Sequence, residues 1–265
     1  MKRYKPLFAT FALALFMGVH PSILAADKEP TAEEPKVDPQ AISILNRAVD
    51  HLAGAKQFSV SAEVWGDIDL EEGVQAQFTK ILDIRLRRPD HVQLNVRTTV
   101  PKRSFYYDGK NFTLLDQQKG FYGTTAAPAT IDETITKMED DFGVEFPISD
   151  ILISRPFGDG AKNAKSGQYL GIEPVLGISC HHVAFQNDEV EWQAWIEDGP
   201  VPLLRKAVIK SKDANSSQQA IALFNKWDLS TELPDFVFAF DPPPGSAKIE
   251  LVPTQETPAA PQPAK

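Results

Sequence analysis

Residues 58–96 read FSVSAEVWGDIDLEEGVQAQFTKILDIRLRRPDHVQLNV, and this stretch decides how the chain folds. Phe58, Val60, Ala62 and Val64 alternate with Ser59, Ser61, Glu63 and Trp65, the period of a strand with one face turned to a core. Glu72-Gly73 marks a turn. Beyond it Val74, Ala76, Phe78, Leu82, Ile84 and Leu86 fall on one face, while Gln75, Gln77, Thr79, Asp83, Arg85 and Arg87 fall on the other. Arg88-Pro89-Asp90 supplies a second turn, after which Val92, Leu94 and Val96 resume the alternation. Strands that follow one another through tight turns pair antiparallel, because parallel neighbours need a crossover of about a dozen residues or more.

Working outward, the same period returns at 105–107 and 112–115 around the hairpin signal Asp108-Gly109. It returns again at 169–173, 178–186, 190–197, 203–211, 220–228 and 236–240. Two segments break the pattern. Ahead of the meander, Asp38-Pro39 is a helix start, Ile42, Leu45, Val49 and Leu52 recur at helical spacing, and Gly54 offers a stop. Between 130 and 154, Ile131, Ile135, Met138 and Phe142 form an apolar stripe on an acidic helix, and Pro147 is expected to begin a short second helix through Ile153. The predicted architecture is mainly β with helices: a curved antiparallel half-barrel of about 10–11 strands whose open concave side the helices cover.

The ends of the chain set its address. Lys2, Arg3 and Lys5 precede an uncharged run over 7–19, and Ala25-Ala26 follow, so residues 1–26 are expected to be a cleavable secretory signal peptide. The run falls short of the ~20 apolar residues a bilayer span requires, so no permanent membrane span is expected. Residues 27–38 read as a disordered charged leader, 39–252 as the folded domain, and 253–265 as a disordered Pro/Ala-rich tail. The expected location is the periplasm, free of a lipid anchor, because no cysteine stands at the signal boundary. Cys180 is the only cysteine among 265 residues, which excludes an internal disulfide. A formal charge of −9 argues against nucleic acid as a partner, since phosphate binding draws on clustered Lys and Arg.

Catalytic signatures are sparse. His181 and His182 are neighbours in a strand and project to opposite faces, so they are not expected to share a metal ion. Cys180 and His182 share a face, the minimum for a thiolate–imidazole pair, yet nothing nearby marks an oxyanion-binding turn or an orienting third group. A buried small residue beside a hydrogen-bonded histidine is the simpler reading. Glu139-Asp140-Asp141 fans out around a helix and reads as a solvated face. Arg85, Arg97 and Arg103 read as strand-borne arginines on a solvated face. No catalytic residue, metal or cofactor is expected. The many aromatic residues, Phe105, Tyr107, Phe112 and Phe146 among them, are core if the sheet closes tightly and ligand-lining if it curves around a gap.

The strand–turn–strand LRRPDHVQLNV, the hairpin FYYDGKNFTLLDQQKGFY, the insertion TIDETITKMEDDFGVEFPISDIL, the pair WQAWIEDGPVPLLRKAVI and the terminal FVFAFDPPPGSAKI occur in an order that resembles the LolA, LolB and LppX-like superfamily of periplasmic lipoprotein carriers. Within it the chain is most similar to a domain family of predicted periplasmic proteins of unassigned function. The resemblance implies an incomplete barrel with an apolar interior that accepts acyl chains. It points to a non-catalytic binding or carrier protein for a hydrophobic ligand such as a lipid, an acyl chain or a lipoprotein. Phe78, Ile84, Leu94, Val96, Met138 and Phe142 are the expected ligand-lining residues. The alternatives are an interaction module with a packed interior that recruits an envelope protein, and, further off, a hydrolase.

Overall fold

The computed structural model describes residues 37–69, 74–98, 102–144, 146, 148–157, 163–212 and 219–254. The expected signal, most of the leader and the end of the tail lie outside these residues. Val37 and Asp38, assigned to the leader, are part of the fold: Val37 bridges Gly167, and Asp38 caps the first helix through a 2.8 Å bond from the Gln40 N–H.

Helix α1 (Pro39–Gly54) is followed by β1 (Gln57–Asp69), β2 (Gln75–Arg87), β3 (His91–Arg97), β4 (Arg103–Asp108), β5 (Asn111–Asp116) and β6 (Phe121–Ala126). After α2 (Ile131–Phe142) come β7 (Ser166–Val175), β8 (Ile178–Gln186), β9 (Val190–Glu197), β10 (Leu204–Ser211), β11 (Gln219–Asp228) and β12 (Ala247–Ile249). All twelve form one open, curved sheet in the order β12-β6-β5-β4-β3-β2-β1-β11-β10-β9-β8-β7. Every pairing is antiparallel except β12 on β6, so the sheet is mixed at one edge. The structure adds β6 and β12 to the strands read from the sequence. It also turns 236–240 into a 3-10 turn at Asp235–Val237 rather than a strand.

Order explains why the helical insertion matters. The first run of strands ends at β6 beside one edge, and the second begins at β7, the opposite edge, then winds back until β11 lies against β1. The segment that joins β6 to β7 must therefore cross the open side of the sheet. Curvature is helped by register breaks between Ser59 and Ser61 on β1, between Leu204 and Lys206 on β10, and between Tyr169 and Gly171 on β7. Lys226, opposite the first of these, takes a left-handed φ of 51°, and such bulges bend a strand and increase its twist.

Both helices lie on the concave face. Ala41, Ile44, Leu45, Ala48, Val49 and Leu52 of α1 are buried, and the helix packs against β7, β8 and β9. Ile131, Thr134, Ile135 and Met138 of α2 are buried on the same side. They meet one continuous core that includes Phe58, Val60, Leu82, Ile84, Leu94 and Phe224. Each fully buried aliphatic or aromatic side chain contributes ~1.5–3 kcal/mol, so the stripe of α2 is held chiefly by apolar burial. On the outer face the C-terminal segment covers part of the sheet, where Phe240 meets the rings of Tyr106 and Tyr122 at 5.3 and 5.0 Å.

Candidate functional site

The site is the seam between α2, the residues just after it, and the concave side of β3–β5. Alternation along β3, β4 and β5 brings Val92, Phe105, Tyr107 and Phe112 to this face, and the helical period brings Ile131 and Ile135 down onto them. Phe146, beyond the end of α2, completes a cluster of rings, 5.3 Å from Phe105 and 5.8 Å from Phe112. The gap left between helix and sheet is about 20 Å³ and is lined almost wholly by apolar atoms. That is room for about one water molecule. The seam is closed, with α2 filling the space a ligand would need.

Polar bonds at both ends hold α2 in place. Thr130 caps its first turn, accepting the Glu133 N–H at 3.2 Å and donating its hydroxyl to the Glu133 carboxylate at 2.9 Å. Asp132 accepts the Ser154 N–H at 2.8 Å and the Ser154 hydroxyl at 2.6 Å, folding the following turn back on the helix. The Ile131 N–H donates to the Pro89 carbonyl at 2.9 Å, and Arg88 Nη1 donates to the Leu152 carbonyl at 3.1 Å. At the far end Gly143 adopts the left-handed cap, with φ 60°, that lets the chain turn away. The Thr254 N–H of the C-terminal segment donates to the Asp141 carbonyl at 2.7 Å.

Carboxylates on this cover sit in unusual surroundings. Burial pushes the Asp150 carboxyl above its ordinary range, and burial, then the neighbouring charges of Asp140 and Asp150, do the same to Glu139. Burial acts on Arg88 in the opposite direction, lowering it, while Asp132 partly offsets that.

The residues expected to line a ligand site fall into three groups. Ile84, Leu94 and Val96 are buried on the concave face beneath the helices, and Met138 is fully buried on α2. Phe142 is half-buried against the core, with the Lys137 ammonium 5.9 Å from its ring. Phe78 shares the face of Leu82 and Ile84 but lies toward the far end of β2 and is 46% exposed. None of the six borders the small gap itself; the rings of β4 and β5 do. Arg88 was not singled out by the sequence reading. Two adjacent arginines before a proline look solvated, and only the crossing of the cover over the rim buries one of them. Of the arginines that were named, Arg85 donates to Gln93 at 2.7 Å and Arg97 pairs with Asp83 at 2.7 Å.

His181 and His182 do point to opposite faces. His181 bonds the Tyr169 hydroxyl at 3.1 Å and Asp198 at 3.0 Å. His182 stacks on Trp195 with ring centroids 4.0 Å apart, and its Nε2 meets Gln193 at 2.9 Å. Its Nδ1 is 3.5 Å from Glu173, too long for a good hydrogen bond, so that nitrogen is effectively unpaired. Glu173 is held below the usual carboxylate range chiefly by the Trp195 indole N–H, at 2.8 Å. Cys180 is buried on the outer face in an apolar cluster with Val175 and Trp195. Its thiol donates to the Ile178 carbonyl at 3.4 Å and is pushed up by burial, the reverse of what a nucleophile needs. Among the described residues no group of three or more His, Cys, Asp or Glu is placed to hold a metal ion, and no helix is long and apolar enough to cross a membrane.

No curated protein matches the sequence. Among solved structures the chain is similar to the lipoprotein LppX of Mycobacterium tuberculosis, at 15% identity over 74% of this chain and 100% of that one, with a TM-score of 0.45. It is similar to LprF of Mycobacterium bovis at 14% identity over 75% and 97%, with a TM-score of 0.47. A LolA superfamily protein from Nitrosomonas europaea shares 12% identity over 76% and 97%, with a TM-score of 0.34. A family model described as "Predicted periplasmic protein (DUF2092)" matches residues 41–252, and the chain therefore belongs to that family.

Proposed function

We propose that this protein is a non-catalytic periplasmic carrier that binds a hydrophobic ligand, such as a lipid, an acyl chain or the lipid part of a lipoprotein, beneath α2. The observation that carries the reading is the makeup of the seam. Its two walls are rings and aliphatic side chains with Thr134 as a polar exception, while the bonds that hold the cover lie at its ends. An apolar chain that slides between sheet and helix exchanges one set of apolar contacts for another, because each buried methylene contributes ~0.8 kcal/mol whichever molecule supplies its surroundings. Binding then requires α2 to swing away from β3–β5, breaking a few end bonds. Phe105, Phe112 and Ile135 would contact the chain first, with Met138, Leu94 and Val96 joining as the opening deepens. The family's description as predicted periplasmic supports the address, and residues 1–26 would direct export and be removed.

The near absence of free space favours a second reading, in which the interior is simply a core and an outer surface recruits an envelope protein. One experiment separates the two. Mature protein purified from the periplasm is analysed by native mass spectrometry for a co-purifying lipid, then titrated with a fluorescent fatty acid. A bound lipid or saturable uptake at one site supports the carrier. An empty protein with no saturable uptake overturns it and leaves the packed module.

A further inference from the structure

One polar side chain interrupts the apolar wall of α2. Thr134 is 3% exposed, lies among Ile131, Ile135 and Met138 on the buried side of the helix, and borders the seam. A threonine inside a helix ordinarily returns its hydroxyl to the carbonyl four residues back. Here the Thr130 carbonyl takes the Thr134 N–H at 3.0 Å, and the Thr134 hydroxyl has no hydrogen-bond partner among the described residues.

Across the seam stands Tyr107, 2% exposed, on the sheet wall. Its phenol donates to the Pro128 carbonyl at 2.6 Å, so the proton is committed and the oxygen is left as an acceptor. Burial pushes that phenol above its ordinary value, the Thr134 hydroxyl pulls it part of the way back, and the charges of Asp90, Glu133 and Asp108 add to the rise. The two oxygens are thus neighbours, close enough to act on one another yet outside the geometry of a hydrogen bond.

In the closed protein neither oxygen needs to reach the gap. A chain that lifts α2 from the sheet parts them and becomes what each one meets. If that chain is wholly apolar, a donor on the helix and an acceptor on the sheet are both buried with nothing to bond, and leaving such groups unmade costs more than their bonds contribute when made. A hydroxyl answers both, accepting from Thr134 and donating to Tyr107. An ether or ester oxygen can only accept, which leaves Tyr107 bare. A carboxylate also only accepts, and it brings negative charge toward a phenol already in the field of three carboxylates.

We infer that the ligand carried beneath α2 bears a neutral hydroxyl, as in a long-chain alcohol, seated between Thr134 Oγ1 and Tyr107 Oη. The inference rests on the carrier reading and narrows its ligand from any apolar chain to a hydroxylated one.

The test loads the mature protein with a fluorescent fatty acid and reads its displacement at neutral pH by decanol, decyl methyl ether and decanoate. Decanol is expected to displace the probe at a concentration about tenfold or more below that of the other two, the order of one buried donor left without a partner. Thr134→Val keeps the shape and removes the hydroxyl, whereas Thr134→Ser keeps the hydroxyl. The preference for decanol is expected to vanish in the first and survive in the second. Equal displacement by decanol and the ether in the parent overturns the hydroxyl assignment while the carrier stands, since a water trapped with either chain would then serve the pair. A preference that survives Thr134→Val, or is lost in Thr134→Ser, overturns it as well. Stronger displacement by decanoate overturns it in favour of an anionic ligand. A parent protein that takes up neither the probe nor, by calorimetry, decanol removes the carrier reading itself.

Discussion

Replacing Met138 with alanine tests whether α2 is a cover or simply part of the core. Met138 is fully buried in the middle of the apolar stripe, with Ile131 and Ile135 on the same side. Removing its thioether end loses the transfer energy of the buried atoms and leaves a new void beneath the helix. Large-to-alanine changes of this kind cost about 2–5 kcal/mol. If α2 opens by itself, that loss falls on the opening equilibrium and multiplies the open population roughly thirtyfold at the lower end of the range. Native-state hydrogen exchange reads it directly. In the parent protein the amides of Thr134 to Asp141 should exchange through an opening cheaper than that of the β1 and β2 amides, and in Met138→Ala both openings should become cheaper by about the same amount, with that of α2 still the lower. Uptake of a fluorescent fatty acid should rise with it, because the ligand no longer competes with the methionine. Should α2 and β1–β2 exchange with one shared opening energy in both proteins, α2 moves only when everything unfolds, and the cover reading is refuted.

Two further perturbations address the ends and the charge of the cover. A methyl group at Gly123 would stand 2.5 Å from Leu251 Cγ, so Gly123→Ala should cost about 1–3 kcal/mol and lower the melting temperature. It should also loosen the Thr254 bond to α2. Gly66→Ala, where nothing lies within 4 Å, serves as the control, and equal shifts in both would refute the packing argument. For Asp150, burial holds the folded carboxyl above its unfolded value, so the closed state binds the proton more tightly. Its stabilising effect is complete below the ordinary carboxylate range and is lost as pH rises through the raised value. Asp150→Asn should therefore slow exchange of the α2 amides at neutral pH and weaken their pH dependence, leaving the part that Glu139 contributes with the same sign. Asp228 and Asp235 are held low by their hydrogen bonds and pull global stability the other way on acidification, so the readout has to be local to α2. An unchanged pH profile in the variant would count against this account.

Much of the fold was legible because a strand with one buried face writes its period into the chain. Residues 58–64 and 82–96 alternate cleanly, and Asp38-Pro39 marks a helix start that the structure keeps. β6 escaped notice because Gly123 stands at an inward position where Leu251 from the far end of the chain supplies the missing bulk. The segment 236–240 misled for the opposite reason. Its alternation is real, yet only Phe238 of it is fully buried and Phe236 is 78% exposed, because the segment packs by one ring rather than by a ladder. The burial of Arg88 was invisible, since nothing local distinguishes a buried arginine from a solvated one.

The sequence by itself determined the strand periods, the two amphipathic helices, the acidic balance and the expected secretory address, all of which depend on neighbours a few residues apart. Only the tertiary structure decided that β11 closes on β1, that the link from β6 to β7 must cross the concave face, and that this crossing buries Arg88 beside a seam with almost no free space. The reason is physical. Periodicity says which face of an element is apolar, whereas the pairing of distant strands says what that face meets.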